Sequence, residues 1–347
     1  MPTPLTRTTL LLAAAALCTT APMAPAAAAA NPCTGTVCSF AVPPGTYDIA
    51  VTLGSTTAAA DTGLDVEAHR TVLAPVATAA GQLARRSVTV NVRTPESMPD
   101  GQEGKGTAGL QVHLTGKAPA LATIKVTARP HTPQLLVISD STAADWLNGP
   151  KHGWGQELPQ YFRDGISVAN YADSGSSTVS WLADPKLFAA VQQFVQPGDD
   201  VLIQLAHNDK TTPEATYRAN LGKLVAGVRA RGGMPVFVTP PVRHFFKSDG
   251  TLTPTGLIVN NLGVDLPAVM RQVAASQRIP LLDLTADSAA LLEKLGPNAS
   301  WPLYLGTQVT PTDSSHFTPY GATTMAGLVV KELTAAHLPA AAFLRSA

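Results

Sequence analysis

LLVISDSTAAD (Leu135–Asp145) runs four apolar residues straight into Ser139, Asp140, Ser141 and Thr142. A short apolar run bounded by polar residues predicts a strand covered on both faces. The polar cluster after it has two physical explanations. Its side chains cap the next helix, or one hydroxyl is a nucleophile held at the rim of a sheet. The same pattern returns in ISVANYA (Ile166–Ala172), DVLIQLA (Asp200–Ala206), PVFVTP (Pro235–Pro240) and PLLDL (Pro280–Leu284). Helical patterning lies between these runs at 153–162, 181–195 and 213–232, and a last helix is expected over about 320–337. Repeated β and α segments predict an open α/β sheet with mostly parallel strands. In such sheets ligands gather outside the carboxyl ends of the strands, so the polar residues there are the ones to inspect.

Upstream the period changes. YDIAVTL (Tyr47–Leu53), LDVEAH (Leu64–His69), SVTVNVR (Ser87–Arg93), LQVHLTG (Leu110–Gly116) and ATIKVTA (Ala122–Ala128) alternate or are β-branched, with Gly, Pro and Asp between them. This predicts a small all-β sandwich over residues 31–129, followed by the α/β domain at 134–347. His69, His113 and His131 are too scattered for a metal frame and are expected to be ordinary sheet or linker residues. Cys33 and Cys38 in CTGTVC have four residues between them, so they suit a small disulfide loop and not a redox pair. Arg7, the apolar run Thr9–Cys18 and the small residues Ala24–Ala30 form a secretory signal peptide pattern over residues 1–30. Export is the expectation, to a compartment that permits the disulfide.

Of the 347 residues, 45% are apolar, enough for a sizeable core. Lys plus Arg and Asp plus Glu both number 24, so there is no charge imbalance to attract nucleic acid. No basic amphipathic helix suggests a membrane surface. GxSxG does not occur, and the carboxylates at Asp199–Asp200 and Asp283–Asp287 lack a metal-ligand frame. No metal or cofactor is expected.

The strand ends offer the parts of serine hydrolysis. Ser141 follows the first strand, where a helix N-terminus would aim its N–H outward. Gly175 permits a close backbone approach, and Asn208 carries an amide. His316 is a candidate base. Asp313 lies three residues before it, a spacing that shares one face of a helical turn. Taken singly, each has a plainer explanation. Ser141 or Asp140 caps a helix, Asn208–Asp209 makes an Asx-turn, and His316 is a surface residue.

The blocks together resemble the SGNH (GDSL-like) hydrolases, and within them the rhamnogalacturonan acetylesterases (carbohydrate esterase family 12). SDST (Ser139–Thr142) resembles the family's GDST, NYADSGSS (Asn170–Ser177) its second block, AHND (Ala206–Asp209) its GHND and DSSHF (Asp313–Phe317) its last. WGQ (Trp154–Gln156) and VTP (Val238–Pro240) fit the same branch, and Val42–Ser55 with Arg86–Arg93 resembles the β domain that precedes the catalytic domain in many bacterial members. The resemblance implies a flavodoxin-like three-layer α/β/α sandwich. It implies Ser141 as nucleophile, His316 as base and Asp313 as its orienter, with an oxyanion hole of Ser141, Gly175 and Asn208. The implied activity is O-deacetylation of a rhamnogalacturonan or related pectic polysaccharide or oligosaccharide. A broad SGNH esterase or lipase, or a non-catalytic glycan-binding protein, are the alternatives. Ser139 and Ala206 stand where the family has glycines, and Ser176 where many members have arginine. Arg243 and His244, after the fourth strand, are candidate substrate contacts in its place.

Overall fold

A computed structural model describes residues 32–67, 70–93, 108–147 and 149–345. The signal-peptide segment 1–30 and His69 lie outside the described residues.

The first strands are β1 (Cys33–Thr34), β2 (Val37–Phe40), β3 (Gly45–Leu53), β4 (Ala60–Val66), β5 (Arg70–Thr78), β6 (Ala84–Val92), β7 (Leu110–Ala118) and β8 (Leu121–Ala128). They form two antiparallel sheets, ordered β1-β2-β7-β4-β5 and β6-β3-β8. Along β3 the alternation puts Tyr47, Ile49, Val51 and Leu53 inside, against Leu64, Val66, Leu110 and Val112. Cys33 and Cys38 face each other across the first hairpin and form the disulfide. The sequence pattern did not single out β5, because RTVLAPVAT carries Pro75. The sheet order explains its tolerance: β5 is an edge strand, where a missing N–H breaks no inner ladder bond.

The second part is a five-stranded parallel sheet of β9 (Gln134–Ile138), β10 (Ser167–Asn170), β11 (Asp200–Ile203), β12 (Met234–Val238) and β13 (Leu281–Leu282). Their order is β10-β9-β11-β12-β13. The helices are α1 (Trp154–Glu157), α2 (Thr178–Ala183), α3 (Phe188–Val191), α4 (Glu214–Ala230), α5 (Leu266–Gln277), α6 (Leu284–Ala299) and α7 (Pro319–Ala335). Alternate residues of each strand feed two cores. Leu135, Val137, Leu202 and Val236 pack with Met325, Val329 and Leu333 of α7. Leu136, Ile138, Val201 and Ile203 pack with Leu221 and Leu224 of α4 and Met270 of α5. These two faces make the three-layer α/β/α sandwich.

Two local expectations change. No α-helix starts at Ser141; residues 141–143 form a turn in which Ala143 N–H donates to the Asp140 carbonyl, and α1 begins only at Trp154. Asp313 and His316 are not on a helical turn either. They lie on β15 (Asp313–Phe317), which pairs with β14 (Tyr304–Gly306) just before α7.

Candidate active site

The strand order sends the chain from β9 to β10 on one side, then across to β11 on the other. The carboxyl ends of β9 and β11 therefore open a crevice at a topological switch point. Ser141 follows β9, Gly175 lies on the loop after β10, and Asn208 follows β11. The β14–β15 hairpin brings the remaining two residues over the same end.

His316 Nε2 is 2.8 Å from Ser141 Oγ, and His316 Nδ1 is 2.7 Å from Asp313 Oδ2. Asp313 Oδ1 also accepts the backbone N–H groups of Ser315 and His316, each at 2.9 Å. Those bonds bend the strand, so residues three apart meet although a flat strand would point them to opposite faces. Burial works to raise the Asp313 carboxyl, but the bonds from the His316 ring and backbone prevail and hold it well below the usual carboxylate range. An ionised Asp313 can only accept, so the proton sits on His316 Nδ1 and Nε2 is free to accept from Ser141. The His316 side chain is 24% exposed, within reach of a substrate at the rim.

Gly175 has φ +84° and no atom within 4 Å of where a Cβ would stand. The position demands glycine for its backbone angle, not for space. Among the described residues nothing accepts from the backbone N–H of Ser141 or Gly175. Asn208 Nδ2 donates to the Ser176 carbonyl at 3.1 Å, which orients the amide and leaves its second N–H to point elsewhere. Ser141, Gly175 and Asn208 thus sit on the loops that follow β9, β10 and β11.

Asp140 supports the Ser141 turn. It is wholly buried and accepts from Thr142 N–H at 3.0 Å, Thr142 Oγ1 at 2.7 Å and Gln204 Nε2 at 3.1 Å. Burial would raise its carboxyl, but nearby His207 and the Thr142 bonds more than offset that and hold it below its ordinary value. Gln204, inside the apolar run of β11 and its end, is a hub that sequence reasoning missed. Its Oε1 accepts from Ser139 Oγ at 2.9 Å, Thr142 Oγ1 at 3.0 Å and Trp154 Nε1 at 3.0 Å. The Ser139 hydroxyl is therefore absorbed, and Ala206 packs into the apolar core. Neither substitution for the family glycines displaces Ser141 from His316. The WGQ stretch finds its use here as well: Gln156 Oε1 accepts from Trp146 N–H and Gln156 Nε2 donates to the Trp146 carbonyl, both at 3.1 Å.

The two candidate substrate contacts part company. Arg243 donates to the His207 carbonyl at 2.7 Å and is half-buried beside the site. Its charge is felt by both Asp140 and Asp313. His244 does not face the crevice. It is buried, stacked on Trp301 at 3.7 Å and edge-on to Phe246 and Tyr304, with Nε2 2.9 Å from both the Pro297 carbonyl and Ser300 Oγ. Packing on all sides leaves it no surface for a sugar. His113 sits on β7 and His131 in the linker, both away from these strand ends.

A family model described as GDSL-like lipase/acylhydrolase matches residues 139–322, from the residue before Asp140 to the start of α7. The chain is 33% identical to the rhamnogalacturonan acetylesterase RhgT of Bacillus subtilis over 220 residues, 59% of this chain and 91% of that protein. It is 28% identical to the probable rhamnogalacturonan acetylesterase YesY of the same organism over 214 residues, 59% of this chain and 94% of the relative. The crystal structure of B. subtilis YxiM has the same fold, with a TM-score of 0.55 at 23% identity, covering 89% of this chain and 84% of that one. The matched residues span more than half of the 347 and contain Ser141, Gly175, Asn208, Asp313 and His316. The candidate site stands at the carboxyl ends of β9, β10 and β11, and the chain belongs to the GDSL-like lipase/acylhydrolase family.

Proposed function

We propose that the protein is an exported carbohydrate O-acetylesterase acting on acetylated rhamnogalacturonan or a related pectic polysaccharide. The observation that carries this is the unbroken relay from Asp313 through His316 to Ser141, at 2.7 and 2.8 Å. The substrate class is supported by RhgT and YesY, which bear the acetylesterase name and align over nearly their whole length. The leader-like residues 1–30 and the Cys33–Cys38 disulfide support export. The sandwich at 31–129 serves as an accessory domain to the hydrolase at 134–347.

In this mechanism Ser141 Oγ attacks the acetyl carbonyl carbon while its proton passes to His316 Nε2. Asp313 keeps the imidazole in register and stabilises the imidazolium that forms. The oxygen that gains negative charge is received by the N–H groups of Ser141 and Gly175 and by the Asn208 amide. The tetrahedral species collapses, His316 returns the proton to the departing sugar oxygen, and an acetyl-Ser141 ester remains. Water, deprotonated by His316, hydrolyses it to acetate. Arg243 offers a cation beside the crevice for an acidic sugar, and Arg243→Gln is expected to raise KM on such a substrate.

The test is acetate release by the mature protein from acetylated rhamnogalacturonan, beside acetylated xylan and a Ser141→Ala control. Release from the pectic polymer that disappears in the variant is the expected result. Release from xylan or small esters alone would keep the serine chemistry and discard the pectic substrate. Glycan binding without any hydrolysis would discard the enzyme.

A further inference from the structure

Arginine is among the residues least often buried. Arg70, the first residue of β5 in the sandwich, is nevertheless only 2% exposed. Its guanidinium leaves its own sheet and enters the hydrolase. One Nη donates to Asn91 Oδ1 at 2.7 Å and to the Val168 carbonyl on β10 at 3.1 Å; the other donates to the Asn91 carbonyl at 3.3 Å. Nε lies 3.5 Å from Asp145 Oδ2.

Asp145 is wholly buried on the segment that follows the nucleophile. Asn170 Nδ2 donates to Asp145 Oδ1 and to the Ala143 carbonyl, both at 2.7 Å. Trp146 comes next. Its indole N–H donates to the Ser141 carbonyl at 3.1 Å, and its ring meets the His316 ring edge-on, centroids 6.0 Å apart. A continuous set of contacts therefore runs from the sandwich to both the nucleophile turn and the base. Burial pushes the Asp145 carboxyl up to about 6 even with Arg70 and Arg93 near it. Without Arg70 this carboxyl has still less reason to ionise, and the geometry set by its charge relaxes.

We propose that Arg70 is a positioning residue for hydrolysis: through it the sandwich holds Asp145, and through Asp145 the Trp146 that braces Ser141 and His316. This rests on the esterase function proposed above. It makes the accessory domain part of the catalytic geometry and not only a neighbour.

The test uses the full mature chain with Arg70→Met, Arg70→Lys, Asp145→Asn and, as a control, Arg85→Met, an exposed arginine of the same sandwich. kcat and KM are measured on 4-nitrophenyl acetate and normalised to folded protein. Arg70→Met and Asp145→Asn are each expected to lower kcat about tenfold or more with KM nearly unchanged, since small misplacements of reacting groups are costly. The double variant is expected to be no slower than either single one, because both break the same tether. Arg70→Lys keeps the charge and recovers part of the rate, and it stands in if Arg70→Met does not fold. The His316 ring resonances in NMR are expected to shift in the Arg70 variants and not in Arg85→Met. Wild-type kcat and unmoved His316 resonances in folded Arg70 variants would overturn the proposal, even if their melting temperature falls. If the wild type hydrolyses no ester, the esterase function fails by itself, and the His316 resonances still decide the tether.

Discussion

Asn208 shows how one residue serves two purposes. One N–H of its amide is engaged with the Ser176 carbonyl, which fixes the side chain, and in the proposed mechanism the other is left for the oxyanion. A donor held this way needs no reorganisation when charge develops, so its worth appears in kcat more than in KM. Asn208→Ala is expected to lower kcat by a factor of about 100 to 1,000, near 3 kcal/mol of transition-state stabilisation. Steady-state kinetics on 4-nitrophenyl acetate check this, and a kcat close to wild type would remove Asn208 from the oxyanion site. His244 makes the opposite point at the same scale. A histidine and an arginine side by side after a strand look alike in sequence. Only packing separates them, and here Trp301, Phe246 and Tyr304 enclose the imidazole while Arg243 stays at the edge of the site.

At the scale of elements, the loops that carry Gly175 and Asn208 are tied together by Asp209. Its Oδ2 accepts the Thr178 N–H at 2.9 Å at the start of α2, and its Oδ1 accepts from Thr178 Oγ1 at 2.6 Å and Thr212 Oγ1 at 2.9 Å. Since α2 begins three residues after Gly175, this carboxylate sets the Gly175 loop against the Asn208 loop. Asp209→Ala strands buried donors on both, and is expected to cost about 3 kcal/mol of stability. A lower kcat should accompany it. Urea unfolding and kinetics on the same preparation would show both effects, and a loss of stability with kcat intact would limit Asp209 to a structural tie. The parallel strands were legible because each apolar run has the length and burial of a covered strand. The sandwich strands were legible because of alternation, as in Tyr47, Ile49, Val51 and Leu53. β15 was not, because DSSHF is polar and becomes a strand only by pairing with β14, a long-range event with no local signal. The same limit applies to Gln204. Inside an apolar run it carries no mark of its role until Ser139, Thr142 and Trp154 converge on it. Ser141, Asp313 and His316 were singled out by motif order, while their geometry depends on backbone bonds to Asp313 that spacing does not reveal.

Over the whole molecule, the protein buries an unusual set of acids, several of them at the seam between sandwich and hydrolase. Burial pushes Asp65, Asp145 and Asp200 up to about 6 and Glu67 up to about 7, and Glu157 adds to the rise at Asp65 and Asp145. Asp65 and Glu67 lie in and just after β4 and Asp145 on the segment after Ser141, while Asp200 opens β11 inside the hydrolase, where it accepts the Ala340 N–H at 3.1 Å. For each, the folded state binds a proton more tightly than the unfolded chain, whose carboxyls titrate near about 4. Their stabilisation is thus full below about pH 4 and is lost as pH rises through about 6 to 7. Asp313 and Asp140 have the opposite sign. Their folded carboxyls titrate below the usual range, so their contribution is full above about pH 4 and is lost on further acidification. These carboxyls alone favour mildly acidic pH, while burial holds His113, His207 and His244 below the ordinary imidazole value, so their contribution is full above about pH 6.5 and is lost on acidification. Above about pH 6.5, where the histidines are neutral in both states, melting temperature is expected to fall on going to pH 8, and Asp145→Asn, which cannot ionise, is expected to flatten that fall. Scanning calorimetry of wild type and variant across this range is the measurement. A melting temperature that holds or rises to pH 8 would mean that Arg70 and Arg93 keep the seam carboxylates ionised throughout. The seam would then be a permanent ion-pair cluster and not a set of buried acids that charge as pH rises.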